Sequence, residues 1–436
     1  MFDIPEESKT ILYNTLYGSL ILLEKSEKEE ALKIFGNAQN PCFLDNNDVC
    51  TVLLDQKFIV NDEIDEFAII NNRKSMGISD PNRLDVILIP TLDCNFTCKY
   101  CYEDHVPSQM SDNTENSLVK WLENEIPKFK FVLIHWFGGE PLLKLNKVLS
   151  ISKKIQHIAD KHDVTLSNQI TTNGYLLSKN CIKKLTDSGI FNYQITLDGS
   201  KRHHDTLRVL KSGKPTFDII FKNIVTLAEF NENIKISLRV NFNHTNFESI
   251  TELLTLFPDN IRKQLRVVFE PIFGNCTINA VDNIDNEALS QSLAGYYLIA
   301  QKSGYDIVFG LSHTYTGKLV NCYAERINQY IVNYNGDIYK CSVNKFTGGD
   351  RVGYIDAVGE FIKEPGTYTK WIQLDHFEEK CLKCQYLPLC MGGCKKMRIE
   401  NQSTGSICNL VPTNTSFLLK QIAVSGLNNH LIKEVQ

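Results

Sequence analysis

The 436-residue sequence predicts an α/β protein: a parallel sheet covered by helices, with a small unit before it and a cysteine-rich domain after it. Three observations predict it. From residue 84, near-continuous apolar segments alternate with amphipathic ones, the pattern of strands buried on both faces and joined by helices. That rhythm stops after residue 310. Ten of the fourteen cysteines gather in two constellations, three between positions 94 and 101 and seven between 322 and 408.

Composition limits the function classes. Hydrophobic residues make up 43% and charged residues 22%, and 46 Lys and Arg against 51 Asp and Glu leave a net charge of -5. A basic field for nucleic acid is therefore not expected. The opening MFDIPEESKT carries acids where a secretory signal carries a basic start, and no apolar run approaches the roughly 18 residues that cross a membrane. The expectation is a soluble cytoplasmic protein with no membrane partner. In such a reducing compartment, spaced cysteines hold metal or do redox chemistry more often than they form disulfides. Cys42, Cys50, Cys181 and Cys276 stand outside the constellations and read as buried apolar side chains.

Element by element, ILYNTLYGSLILLE (11–24) reads as two strands turning near Gly18, EEALKIF and DVCTVLLDQ as short helices, and FIV as a strand after them. This start resembles a winged-helix unit. NNRKSMGISDPN (71–82) has the polar, Gly- and Pro-containing composition of a linker, so residues 1–80 are expected to form the first unit with its linker. Six strands follow, LDVILIP, FVLIHWF, LSNQITTNG, NYQITLDGS, KISLRVNF and RVVFEPI, with helices between them. Six units fall short of the eight of a closed barrel, so residues 81–310 are expected to form a partial (β/α)6 barrel. Residues 311–436, with pieces such as NQYIVNYNGDIYKCS, are expected to form a metal-stabilised domain ending in a helix.

The first constellation, Cys94-Asn-Phe-Thr-Cys98-Lys-Tyr-Cys101, follows the first barrel strand directly. Parallel α/β folds place active sites at the carboxyl ends of their strands. Three thiolates are one fewer than a closed tetrahedral zinc site or a fully protein-ligated four-iron cluster needs, which leaves an open position for chemistry; spacing alone leaves both metals open.

The C-x3-C-x2-C spacing with Tyr100 before the last cysteine resembles the radical S-adenosylmethionine (SAM) enzymes. That resemblance implies a [4Fe–4S] cluster on Cys94, Cys98 and Cys101, with SAM chelating the fourth iron and cleaved to a 5′-deoxyadenosyl radical. Gly138-Gly139-Glu140-Pro141 is similar to the family's GGEP segment, where backbone and Glu140 would meet the methionine ammonium. Thr172-Asn173-Gly174 and Leu197-Asp198-Gly199, then His204, Asp205 and Arg208, continue the likeness at successive strand ends. Arg208 is the candidate for the methionine carboxylate, and Tyr100 and Tyr102 are candidates to flank the adenine. Taken singly, these are ordinary turns, surface charges and core aromatics.

Cys322, Cys341, Cys381, Cys384, Cys390, Cys394 and Cys408 form the second constellation. Residues 381–394 alone would suit one zinc. The full string resembles the SPASM extension of radical SAM peptide maturases, which implies two auxiliary [4Fe–4S] clusters, three in all. By that analogy Cys322, Cys341 and Cys394 serve one cluster and Cys381, Cys384, Cys390 and Cys408 the other. Seven ligands for eight sites leave one position, for which Cys276 or His313 is a donor candidate and an open iron the alternative.

The resemblance further implies a peptide-modifying oxidoreductase that crosslinks side chains of a ribosomally made precursor. Its leader would add a strand to the first unit, and a flavodoxin- or ferredoxin-type protein would supply electrons. Two alternatives stand beside it. Sulfatase-type maturases forming formylglycine share the motifs but carry Asp where this chain has Ser342, and a zinc-stabilised non-catalytic protein remains open.

Overall fold

Strand β1 (Phe2–Ile4), β2 (Lys9–Tyr13) and β3 (Leu20–Leu23) form an antiparallel meander. The turn between β2 and β3 is held by the Asn14 side chain, which accepts from the backbone N–H groups of Leu16 and Tyr17, while Gly18 takes a φ of 73°. Helices α1 (Lys25–Gly36) and α2 (Asp48–Asp55) cover one face, where Leu12, Ile21 and Leu23 pack on Ala31, Ile34 and Leu53. Ile11, Leu20 and Leu22 on the other face pack on Leu389, so this unit rests on the cysteine-rich domain. The structure, a computed structural model, describes residues 1–4, 8–37, 48–242, 246–272, 286–307, 319–346, 348–373, 377–400, 419 and 432–434.

Two sequence expectations fail here. Phe58-Ile59-Val60 is not a strand: the amides of Phe58 and Ile59 both donate to Leu53 O, so they close α2 and have no strand partner. The expected linker is largely helix α3 (Glu66–Ile78), started by Asp65, whose side chain accepts from Ala68 N at 2.8 Å. Within it Lys74 is buried: its Nζ donates to Met391 O at 3.1 Å and lies 4.6 Å from the centre of the Phe377 ring.

All six barrel strands form in the expected order: β4 (Arg83–Leu88), β5 (Phe131–Trp136), β6 (Thr165–Thr172), β7 (Asn192–Thr196), β8 (Lys235–Phe242) and β9 (Leu265–Pro271), each parallel to the next. Between them run α4 (Asp112–Glu125), α5 (Leu145–Lys161), α6 (Lys179–Thr186), α7 (Lys201–Leu207), α8 (Phe217–Phe230) and α9 (Phe247–Leu256). Ser111 and Ser178 cap α4 and α6 with side-chain oxygens. Alternation along each strand sorts the side chains. On β5, Val132, Ile134 and Trp136 are fully buried under the helices, while His135 faces the barrel interior, where its Nε2 hydrogen-bonds with Thr171 Oγ1 at 2.8 Å. Each fully buried aliphatic side chain contributes roughly 1.5–3 kcal/mol to holding these layers together.

The sheet does not end at β4. Beyond residue 310, β10 (Gln329–Val332) pairs in parallel with β4, and β11 (Asp337–Tyr339), β12 (Gly353–Ile355) and β13 (Phe361–Lys363) follow antiparallel, giving one ten-stranded sheet. Near the chain's end, β14 (Ile432–Glu434) pairs in parallel with β3. The expected C-terminal helix falls outside the described residues. No described helix is long and apolar enough to cross a membrane.

Candidate radical-generating and auxiliary thiol site

The Cys94–Cys101 loop is held by backbone. Thr97 N donates to Val209 O at 2.9 Å and Lys99 N to Leu207 O at 3.0 Å, and fully buried Phe96 bridges to Leu210. This stitching brings Arg208 beside the thiol loop. Burial pushes the Cys94 thiol up to about 12 and Cys101 to about 11, and it raises Cys98 as well. Such thiols keep their protons until a metal's positive charge replaces them.

On the next strand end, Gly138 has a φ of 116°, and a Cβ there would lie 2.5 Å from Thr91 O. One on Gly139 would lie 2.3 Å from Asp93 O. The backbone thus passes this loop at a distance only glycine allows. Glu140 also has a structural role. Its fully buried carboxylate accepts from Leu142 N at 3.0 Å, Thr172 Oγ1 at 2.8 Å and Asn173 N at 2.8 Å, so it clasps the end of β6. Burial raises its pKa, and these donors offset part of that cost. Asn173 in turn donates to Asn95 Oδ1 at 2.8 Å, tying β6 to the thiol loop.

Tyr100, Asp198 and Arg208 form one network. The Tyr100 hydroxyl donates to Asp198 Oδ2 and accepts from Arg208 Nη1 at 2.8 Å. Asn241 on β8, which sequence reading missed, completes it: its Nδ2 donates to the Tyr100 hydroxyl at 3.0 Å and to Asp198 Oδ1 at 3.1 Å. Burial raises the pKa of Asp198. Arg208 Nε is buried and has no hydrogen-bond partner among the described residues. His204 and Asp205 are scaffolding: His204 Nδ1 accepts from Asp198 N at 3.1 Å, and Asp205 Oδ1 accepts from Thr216 N and Phe217 N.

A cavity of about 430 Å³ opens between these residues and the cysteine-rich domain. Cys94, Cys98 and Cys101 line one side, and Cys341 and Cys394 line the other. Cys322 lies within electrostatic range of both Cys341 and Cys394; burial pushes Cys322 up to about 11 and Cys341 to about 12. Cys390 and Cys394 part company at a sharp turn, where Met391, Gly392 and Gly393 have φ values of 49°, 88° and 76°. Cys381, Cys384 and Cys390 sit on or beside two single-turn helices, Glu379–Leu382 and Leu387–Cys390. Cys408, Cys276 and His313 lie outside the described residues. No three His, Cys, Asp or Glu side chains among the described residues converge on a single-ion site.

Residues 88–257 match the Radical SAM superfamily. The chain carries a radical SAM domain. Relatives match over or beyond this domain. The "Cysteine-type anaerobic sulfatase-maturating enzyme" of Clostridium perfringens is 24% identical over 71% of this chain and 88% of its own length. "Radical SAM cyclopropyl synthase TigE" of Paramaledivibacter caminithermalis is 26% identical over 51% of this chain and 53% of its own. The chain spans about a third to two-fifths of the length of several other relatives. Among solved structures, "Native anSMEcpe with bound AdoMet and Cp18Cys peptide" aligns with a TM-score of 0.61 at 19% identity, covering 79% of this chain and 99% of its own, which shows a shared fold.

Within the radical SAM domain, Cys94, Cys98, Tyr100, Cys101, Gly138, Gly139, Thr172, Asn173 and Arg208 all line the cavity. The residues also fit the expected cofactor on three counts. Three thiols line the cavity, a glycine backbone passes with room for no side chain, and a buried guanidinium nitrogen has no hydrogen bond. Sequence reading missed Thr171, Gln194, Thr196, Arg239 and Asn241 on the same cavity. Their signal was the appearance of polar residues at alternate positions of otherwise apolar strands.

Proposed function

We propose that this protein is a radical SAM peptide maturase of the SPASM type, which crosslinks side chains of a ribosomally made precursor through a carbon–carbon or thioether bond. One observation carries the reading: thiols from two constellations more than 200 residues apart in sequence line a single cavity of side-chain size. When bound, the [4Fe–4S] cluster and SAM supply a 5′-deoxyadenosyl radical that takes hydrogen from the substrate. Cys94, Cys98 and Cys101 would hold that cluster, and the Gly138–Gly139 backbone would seat the methionine moiety. Arg208, whose Nε makes no hydrogen bond, would take the methionine carboxylate. Tyr100, Asp198 and Asn241 hold Arg208 in place. Cys322, Cys341 and Cys394 would hold one auxiliary cluster, and Cys381, Cys384, Cys390 and Cys408 the other. Electrons would come from a flavodoxin- or ferredoxin-type donor. Residues 1–80, 81–310 and 311–436 would act as leader-binding unit, barrel and auxiliary domain.

The relatives named as sulfatase-maturating enzymes favour a second reading, formylglycine formation. Ser342 stands against it, since its hydroxyl shares a 2.6 Å hydrogen bond with the Tyr323 hydroxyl and offers no carboxylate base. Anaerobic reconstitution tests the main reading. Three cubanes predict about 12 iron atoms per chain, with reductive SAM cleavage to 5′-deoxyadenosine. Deleting residues 1–76 should spare that cleavage while lowering product mass from a full precursor. A colourless, zinc-loaded protein without cleavage would sink the proposal.

A further inference from the structure

We infer that Arg239 anchors a carboxylate of the substrate peptide inside the barrel, so that the enzyme selects a peptide carrying an acidic group beside the reacting position. The inference rests on the reading that a peptide enters this cavity. Arg239 lies on β8 between Leu238 and Val240, which are fully buried on the helix side, so its own side chain enters the barrel and lines the cavity. Its Nε donates to Asn241 Oδ1 at 2.9 Å, and Asn241 is itself held by Asp198 and Tyr100. The guanidinium is thereby fixed in orientation, with its Nη donors free for a second partner.

No such partner exists among the described residues. Arg83 and Arg326 pair with Asp85 at 2.7 Å, Arg266 with Asp306 at 3.1 Å and Arg208 with Asp198 at 4.0 Å. Arg239 has no ion pair, and Glu270, aligned with Asn241 on β9, forms none with it. A half-buried guanidinium without an ion-pair partner is costly unless an anion arrives. The residues aligned with it on the flanking strands, Thr196 and Val268, are neutral; Glu103 lines the same cavity but forms no ion pair with Arg239, and the cavity's lysine, Lys396, is already paired with Glu400. The SAM carboxylate has its own candidate in Arg208, whose Nε makes no hydrogen bond and lies near Cys98. A rigid fork that presents two N–H groups matches a carboxylate in bidentate fashion. The carboxylate could belong to an Asp or Glu side chain or to a free C-terminus, and the test separates these sources.

The test uses the full chain, reconstituted with iron and sulfide and loaded with SAM, to select binders from a library of short random peptides made with free or amidated C-termini. Wild type should enrich Asp or Glu at one position about ten-fold, the equivalent of roughly 1.4 kcal/mol. R239Q should lose that enrichment, and R239E should replace it with Lys or Arg. Retention of free-acid peptides alone, lost in R239Q, would support the inference with the C-terminus as the source. An unchanged acidic preference in R239Q, or peptides retained by wild type without any acidic preference, would overturn it. So would a parallel fall in SAM binding by R239Q in equilibrium dialysis without peptide, which would assign Arg239 to SAM. If wild type retains no peptide at all yet still cleaves SAM, the peptide reading fails, and this inference with it.

Discussion

The two thiol regions are built in opposite ways. Cys94, Cys98 and Cys101 stand on a loop that follows a central strand, bonded along its backbone to Leu207 and Val209 and tied by Asn95 to Asn173. Cys381, Cys384 and Cys390 stand on or beside single-turn helices, with turn bonds such as Cys384 N to Cys381 O, that lean on the N-terminal unit through Leu387 and Leu389. The first region is framed by a core that exists without metal. The second has no such ladder and packs only through short helices, so a metal would supply much of its order. One protein thus shows two routes to a thiol site, a preformed one and one completed by its ligand.

Cysteine replacements test this contrast most strongly. Changing Cys94, Cys98 and Cys101 to Ala should abolish 5′-deoxyadenosine formation and remove about a third of the iron while the melting temperature stays near wild type. The same change at Cys381, Cys384 and Cys390 should lower the melting temperature by far more, or leave the protein insoluble. Similar melting curves for the two variants would break the comparison. Gly139→Ala comes next, because its Cβ would stand 2.3 Å from Asp93 O; SAM cleavage should fall by about two orders of magnitude, since displacing a positioned group by an ångström costs that much. Asn241→Ala leaves buried Asp198 and Tyr100 short of donors and should cost about 1–3 kcal/mol in denaturant unfolding, with weaker SAM binding.

The smallest effect concerns a surface-side cluster remote from both thiol sets. Although burial opposes it, hydrogen bonds from Lys147, Lys154 and Ser150 hold the Glu115 carboxyl down to about 2. A carboxyl lowered on folding stabilises above its unfolded value, and that contribution is lost as pH falls toward the folded one. Glu115→Gln should therefore cost about 1 kcal/mol at neutral pH, with the gap to wild type closing between about pH 4 and pH 2. A gap that widens on acidification would refute the assignment.

Much of this was legible in the sequence where a single local pattern decides the outcome. The barrel strands were, because burial on both faces leaves an apolar run with helices between. The thiol loop was, because its spacing falls directly after the first of those strands. What escaped depends on partners distant in sequence. Lys74 reads as a solvent-facing residue of a linker until Met391 and Phe377 close over it. The clasp of Glu140 on the end of β6 carries no local signal either, since Thr172 and Asn173, which donate to it, stand more than 30 residues away. Asn241 and Arg239 carry no motif, and only the pleat of β8 turns both toward the cavity.

The pairing of β10 with β4 reaches beyond assembly. Gln329 to Val332 align with Asp85 to Leu88, and Ile89 N donates to Val332 O, so a continuous ladder joins the cysteine-rich domain to the strand that precedes Cys94. A hinge cannot operate across such a ladder without breaking it. A substrate must therefore enter by movement of side chains and loops around the mouth, not by the two domains swinging apart. Amide hydrogens of both strands would exchange with solvent as one unit, at rates set by unfolding of the sheet, however often the cavity fills and empties.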